Sequence, residues 1–284
     1  MKKLLILSGK GGTGKTTIAS SFVRLADVRA VADCDVDAPN LHLVSDLNAE
    51  PVITDFMGSK KAFVDADCCV GCNKCTEFCR FHAIENGVVD EFSCEGCGVC
   101  ELVCPVHAVS MVDDVAGEQR LYARDRVFST AKLKMGRGNS GKLVSAVKQS
   151  LFDHSDAELA IIDGSPGIGC PVIASMSGVD LVLIVAEPSM SGVSDLQRLV
   201  QTANRIRVRV AVCINKFDVS MEMSDLIAAY CAENKIPFVG MVPYDQSALK
   251  AMNAGKSLVD LDSKASKAIC EMFDKTLVLL DEVE

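Results

Sequence analysis

The sequence predicts an α/β fold, a mostly parallel sheet with helices on both faces, carrying a small inserted α+β module. Three observations predict it. Short apolar runs alternate with stretches of helical period along most of the 284 residues. A glycine-rich turn stands between the first apolar run and the first helical stretch. Eight cysteines between residues 69 and 104 form two runs that superimpose on a shift of 25 residues.

Residues 3–7 read as a buried parallel strand, residues 15–26 as a helix and residues 28–32 as a second strand. Residues 62–112 hold the cysteine module, flanked by the main domain in two parts, 1–61 and 113–284. No Pro/Ser tract marks its entry or exit, so a rigid seat is expected. Alternation returns in the segment after it, followed by a helix around 140–151. Residues 159–163 and 180–186 are apolar strands with β-branched content, and 192–205 suits a helix. A strand at 207–214, helices near 222–233 and 264–280, and a strand at 237–242 complete the alternation. Strands of continuous apolar character belong in a sheet covered on both faces.

Apolar content of 49% with 24% charged residues argues against disorder. The 14 cysteines cluster at metal spacing, not as the disulfide framework of a small secreted domain. The apolar start, Met1-Lys2-Lys3-Leu4-Leu5-Ile6-Leu7, is too short for a signal peptide. No run approaches the ~18 residues of a membrane span. The acidic end, Asp281-Glu282-Val283-Glu284, disfavours a basic membrane-docking helix and with it a stable membrane anchor. A reducing cytoplasm is expected, with no nucleic-acid partner. The net charge of −9 is unevenly placed. Residues 64–114 hold ten acidic and two basic side chains, whereas 118–148 hold eight basic and two acidic. Solvated surface explains both blocks; so does an acidic module beside a basic segment that docks it or an anion.

Gly9-Lys10-Gly11-Gly12-Thr13-Gly14-Lys15-Thr16 fits G-x4-G-K-[ST] after a strand and at the start of a helix. Glycines let backbone N–H groups close around phosphate oxygens, and the helix N-terminus adds positive potential. Lys15 should reach the outer phosphates of ATP, Thr16 should bind Mg²⁺, and Thr17 should complete the loop. The extra lysine, Lys10, resembles the signature of the deviant Walker A ATPases, the group of MinD, ParA, the nitrogenase iron protein and the Mrp/Nbp35 iron–sulfur carriers. Asp33-Cys34-Asp35-Val36-Asp37-Ala38-Pro39-Asn40 resembles that group's D-x-D-x-x-x-P motif. Asp163-Gly164-Ser165-Pro166-Gly167 resembles its D-x-P-P-G motif, with Ser165 in place of the first proline. Asn215-Lys216 and Pro243-Tyr244-Asp245 resemble the segments that hold adenine. The resemblance implies a nucleotide sandwiched in a homodimer, or in a heterodimer with a related ATPase, with Lys10 reaching the partner's ATP. It implies catalytic roles for Lys10, Lys15, Asp35 and Asp163: Asp35 orients the attacking water, and Asp33 or Asp163 supports Mg²⁺. An aspartate pair after a strand has turn capping as its alternative, for Asp35 and for Asp37.

Each cysteine run reads C-x2-C-x2-C-x3-C, the spacing of bacterial two-cluster ferredoxins. With the loop above, the chain is similar to MinD-superfamily P-loop ATPases containing an inserted ferredoxin domain. In such ferredoxins the last cysteine of each run serves the other cluster. The resemblance therefore implies Cys69, Cys72, Cys75 and Cys104 on one [4Fe–4S] cluster, and Cys94, Cys97, Cys100 and Cys79 on the second. Pro105 follows Cys104, whereas Arg80 follows Cys79. His82 and His107 repeat with the cysteines and are expected at the surface. Zinc is the alternative for such spacing. Cys68 is read as a bystander, and Cys213, Cys231 and Cys270 as buried inert thiols. Cys170 has three readings: packing residue, transient metal or cluster ligand across a dimer, or redox-sensitive thiol. Met135-Gly136-Arg137-Gly138 resembles the loop that supplies the second bridging cysteine in the nitrogenase iron protein, but holds no cysteine.

Two functions follow. One is an ATP-dependent factor in iron–sulfur or other metal-cofactor assembly, its clusters an electron relay and its partner an apo-metalloprotein acceptor. The other is an ATP-gated electron donor to a redox partner. A scaffold with a degenerate nucleotide site is disfavoured by the intact loop.

Overall fold

The computed structural model describes residues 1–45, 47 and 49–282. Val283 and Glu284, the last two residues of the acidic end, lie outside the described residues. In chain order the elements are β1 (Lys2–Leu7), α1 (Lys15–Leu25), β2 (Ala30–Asp33), β3 (Val52–Met57), β4 (Lys61–Val64), α2 (Lys74–Phe78), β5 (Ile84–Glu85), β6 (Val88–Val89), α3 (Val99–Val103), β7 (Val109–Val112) and β8 (Val115–Ala123). There follow β9 (Val127–Leu133), α4 (Ser140–His154), β10 (Leu159–Asp163), α5 (Cys170–Met176), β11 (Leu181–Ala186), α6 (Met190–Arg205), β12 (Arg209–Asn215), α7 (Met221–Glu233), β13 (Phe238–Val242), α8 (Ser247–Asn253) and α9 (Lys264–Asp281).

The chain divides into two compact units. The larger takes residues 1–53, 120–132 and 140–284, and the smaller takes 54–119 and 133–139. The smaller unit is thus wider than the 62–112 segment, because the hairpin stems at its base and the 133–139 loop fold with the cysteine segment.

In the larger unit seven strands pair in parallel, in the order β13-β12-β11-β1-β10-β2-β9. The central strands are apolar throughout because both faces are covered. Leu4, Ile6, Ile161, Leu183 and Phe128 sit in a core with Ile18 and Phe22 of α1 and Ile269, Met272 and Phe273 of α9. Phe22 meets Phe273 edge-to-face at 5.0 Å, a geometry that aromatic quadrupoles favour. Register has a functional consequence. Asp163 at the end of β10 pairs with Asp33 at the end of β2, and Ile6 of β1 pairs with Asp163. Two acidic residues from distant segments therefore stand side by side at the carboxyl ends of parallel strands, where α/β sheets bind ligands.

Most expected elements fall within two residues of their predicted bounds. The second strand, expected from residue 28, starts two residues later at Ala30. Asp27 turns into the left-handed region at φ 45° and Val28 N–H donates back to Val23, so these residues finish the helix instead. Helices α5 and α8 and strand β3 lacked a periodic signal. The two helices are seven residues each, too short to display helical periodicity.

The smaller unit is built on the 25-residue repeat. α2 and α3 occupy equivalent positions, and β4 pairs with β7 while β5 pairs with β6. His82 and His107 are exposed at φ 52° and 54°. Cys79 Sγ accepts from Ala83 N–H at 3.3 Å, and Cys104 Sγ from Ala108 N–H at 3.2 Å. Asp65 N–H donates to Ala108 O, and its repeat mate Asp90 N–H donates to Ala83 O, both at 2.8 Å. The two halves are thus interlocked, each closing on the other's last turn.

Candidate functional site

In the larger unit the chain leaves β1 at Leu7 and enters α1 at Lys15. Gly12 and Gly14 adopt φ 78° and 93°, which only glycine does without strain. A Cβ on Gly14 would lie 2.1 Å from Asn215 Nδ2. Asn215 Nδ2 donates to Thr13 O at 2.6 Å, and Lys216 Nζ to Gly12 O at 2.8 Å. The end of β12 therefore pins the loop.

Lys15 and Asp163 are both buried, with Nζ 2.5 Å from Asp163 Oδ1. Thr16 Oγ1 donates to Asp163 Oδ2 at 2.8 Å. Asp33 is fully buried; its Oδ1 accepts from Asp35 N–H at 3.1 Å and its Oδ2 from the N–H groups of Asn40 and Leu41 at 2.9 Å. Burial, then the neighbouring charge of Asp163, pushes the Asp33 carboxyl up to about 7. For Lys15, burial pulls the ammonium down, but the pairing with Asp163 and the charges of Asp33 and Asp35 hold it above its ordinary value. Burial also raises half-buried Asp35, against the pull of Lys15. The result is one buried ammonium facing three carboxylates, an excess of negative charge that suits a divalent cation.

A cavity of about 640 Å³ opens over this cluster. Every residue from Lys10 to Thr17 lines it, together with Asp35, Asn215, Pro243 and Tyr244. Thr13 Oγ1 and Asn40 Oδ1 are buried without a hydrogen-bond partner among the described residues, and Asn40 and Thr13 both line the cavity. Orphaned polar atoms in such a place call for a ligand, and a nucleotide with Mg²⁺ fits: backbone cradle, lysine, hydroxyl and carboxylates are all at hand. Gly9 does not line the cavity; a Cβ there would stand 2.2 Å from Asp195 Cβ. Asp37 is exposed.

Lys10 rests on its own chain, with Nζ 3.1 Å from Glu187 Oε2, 3.2 Å from Ser191 Oγ and 3.4 Å from Ser189 Oγ. Sequence reasoning missed Glu187, Ser191 and Asp195. Ser189, missed as well, is the N-cap of α6 and accepts from Gly192 N–H; nothing in the chain announces that this cap meets Lys10.

In the smaller unit the eight cysteines sort into two groups. Cys69, Cys72, Cys75 and Cys104 line one small cavity. Cys79, Cys94, Cys97 and Cys100 line another. Each group takes three thiols from one repeat and one from the other. Among the described residues no three His, Cys, Asp or Glu side chains converge as a single metal ion requires. Burial pushes the Cys104 thiol up, but the N–H groups of Val106, Ala108, Val109 and His107 outweigh it and hold the thiol below its ordinary value. Burial raises Cys100. Four thiols around one cavity are residues that could hold a metal centre. Cys68 is exposed and lines neither cavity.

The 135–138 loop belongs to this smaller unit. Arg137 pairs with Glu91 at 2.7 Å and Asp114 at 3.1 Å, and its guanidinium lies 5.6 Å from the Phe92 ring. One residue of the basic segment thus binds the acidic module. Cys170, in the larger unit, is exposed at the start of α5, which removes the packing reading. Cys213 and Cys231 are buried as expected, and Cys270 is half-buried. No helix among the described residues is long and apolar enough to cross a membrane.

The sequence profile of the CobQ/CobB/MinD/ParA nucleotide-binding domain matches residues 4–259. An uncharacterized protein of Methanocaldococcus jannaschii is 36% identical over 279 residues, covering 96% of this chain and 95% of that protein. An iron–sulfur cluster carrier protein of Pyrococcus furiosus is 26% identical over 309 residues, covering 99% and 88%. The septum site-determining protein MinD of Pyrococcus horikoshii, solved with Mg-ADP, superposes with a TM-score of 0.56 at 17% identity, covering 99% of each chain. That last likeness is one of fold. With the loop, its buried lysine and its paired aspartates in place, the chain belongs to the CobQ/CobB/MinD/ParA nucleotide-binding family and is an ATPase of the MinD/ParA kind.

Proposed function

We propose that this ATPase is an iron–sulfur protein that serves, at the expense of ATP, in the assembly of an iron–sulfur or other metal cofactor. The observation that carries the reading is the sorting of eight cysteines into two fours within a chain that also holds an ATPase site. Cys69, Cys72, Cys75 and Cys104 would hold one [4Fe–4S] cluster, and Cys94, Cys97, Cys100 and Cys79 the second, in a ferredoxin-like module. Bound clusters supply one-electron redox chemistry. All eight thiols are committed inside the module, so the clusters act as relay and not as cargo. Distant relatives named as iron–sulfur cluster carriers support the assembly role.

In the nucleotide site Lys15 and the loop N–H groups bind phosphates. Thr16, with Asp163 or Asp33, holds Mg²⁺, and Asp35 orients water; positioning and charge stabilisation are what phosphoryl transfer requires. The active form is a dimer, with itself or with a related ATPase, in which Lys10 exchanges Glu187 for the partner's nucleotide. Cys170 takes part in metal or cluster handover. The protein works in the cytoplasm.

Anaerobically prepared protein should carry about eight irons per chain. Cys104→Ser should lower this to about four. ATP should accelerate transfer of a labile cluster to an apo-acceptor, and Cys170→Ala should remove that acceleration with iron content unchanged. Two zinc ions in place of iron would overturn the cluster reading. Transfer indifferent to ATP would overturn the assembly role.

A further inference from the structure

Ser165 stands where the family motif has proline, and it makes a bond proline cannot make. Its Oγ donates to Cys34 O at 2.5 Å. Both residues are buried, Ser165 at 2% exposure and Cys34 at zero. Cys34 N–H in turn donates to Asp163 O at 2.7 Å. The 163–167 turn therefore grips both polar groups of Cys34, one by backbone and one by side chain. The turn is itself anchored on either side of Ser165: Gly164 N–H donates to Ile6 O at 2.9 Å, and Gly167 N–H to Ser8 O at 3.0 Å. Ser8 Oγ donates onward to Lys10 O at 2.9 Å.

The Cys34 carbonyl and the Asp35 N–H belong to one planar peptide unit. Its oxygen end is held by Ser165 and its N–H end by Asp33 Oδ1 at 3.1 Å. Fixing both ends fixes the plane, and with it the direction in which Asp35 leaves the chain. Asp35 lines the nucleotide cavity. Asp33, the other clamp, is the residue whose register mate is Asp163.

We propose that Ser165 is a positioning residue for ATP hydrolysis: its hydroxyl latches the 163–167 turn to the 33–40 loop and sets how Asp35 is presented to the phosphate end of the cavity. Ser165 does not line the cavity. It acts through the Cys34–Asp35 peptide, so its loss affects turnover more than affinity. The inference rests on the ATPase activity and not on the cofactor-assembly reading, because no acceptor enters its test.

The test is phosphate release against ATP concentration for the unaltered chain, Ser165→Ala and Ser165→Thr at one protein concentration. Ser165→Ala should lower kcat about tenfold, the loss of one buried hydrogen bond, and leave the KM for ATP within about twofold. Ser165→Thr, which keeps the hydroxyl, should restore most of the turnover. If Ser165→Ala folds poorly, Ser165→Cys keeps the volume with a weaker donor and should turn over at an intermediate rate. Unchanged kcat in Ser165→Ala or Ser165→Cys, or a loss carried by KM alone, would overturn the latch.

Discussion

Asp33 shows what burial does to a single residue. Its folded carboxyl titrates near 7 against an ordinary value of 3.8. Between those values the folded chain binds a proton that the unfolded chain has released, so stability falls as pH rises through the window. The melting temperature of nucleotide-free protein should therefore fall between about pH 5 and pH 7 by an amount that Asp33→Asn abolishes. A variant whose pH profile parallels the unaltered chain's would show that Asp33 is ionised throughout. Burial is the larger cause of that shift and the neighbouring charge of Asp163 the second; the second part is what a divalent cation at the proposed Mg²⁺ site would relieve. Lys15 is the counterweight. It is held charged by Asp163 despite burial, and so remains available to phosphate at neutral pH.

Among elements, α5 is the one whose existence most needs explaining. It is seven residues long, and short helices leave most of their terminal carbonyls without partners. Lys148 of α4 supplies them: its Nζ donates to Ala174 O at 3.0 Å, Ser175 O at 2.7 Å and Ser177 O at 2.5 Å. Burial brings this ammonium down to about 8, so it is still mostly charged at neutral pH and a strong donor. α5 follows the 163–167 turn and opens with Cys170, so Lys148 tethers the far end of a segment whose near end belongs to the ATPase site. Lys148→Met should cost about 1–3 kcal/mol, the price of buried carbonyls left unpaired. Urea unfolding should detect it as a lower midpoint with an unchanged slope. An unchanged midpoint would mean that water or a neighbouring donor satisfies the same carbonyls.

At the scale of the whole molecule the two units rely on different sources of stability. The larger has a wide apolar core under a parallel sheet. The smaller has a core of six buried residues with six half-buried neighbours, and five of those twelve are cysteines. A unit of that size seldom stands on its apolar core alone and commonly depends on a metal centre. Stripping iron with a chelator should therefore open residues 54–119 to protease while ATP affinity stays within about threefold. Mass spectrometry of the fragments, with a nucleotide titration of the stripped protein, reads both. Resistance of that segment in iron-free protein would mean its interlocked repeat is sufficient by itself.

The sequence alone determined the alternation of strands and helices, the phosphate loop and the two cysteine runs, because each depends on neighbours close along the chain. Period, turn chemistry and metal spacing are local properties. The resemblance to a duplicated motif also led to the expectation of a cross-repeat grouping for Cys79 and Cys104, and the two small cavities are lined in that grouping. Tertiary structure decided what lies beside what. Only the parallel register of β2 and β10 brings Asp33 against Asp163. Only the fold brings Glu187 to Lys10, Asn215 to Thr13, Lys148 to the end of α5 and Ser165 to Cys34. Apart from Lys148 and α5, which are 26 to 29 positions apart, those pairs are separated by 130 to 202 positions. The physical reason is the same in each case: a buried polar group needs a partner, and the chain itself does not say which distant segment will supply it.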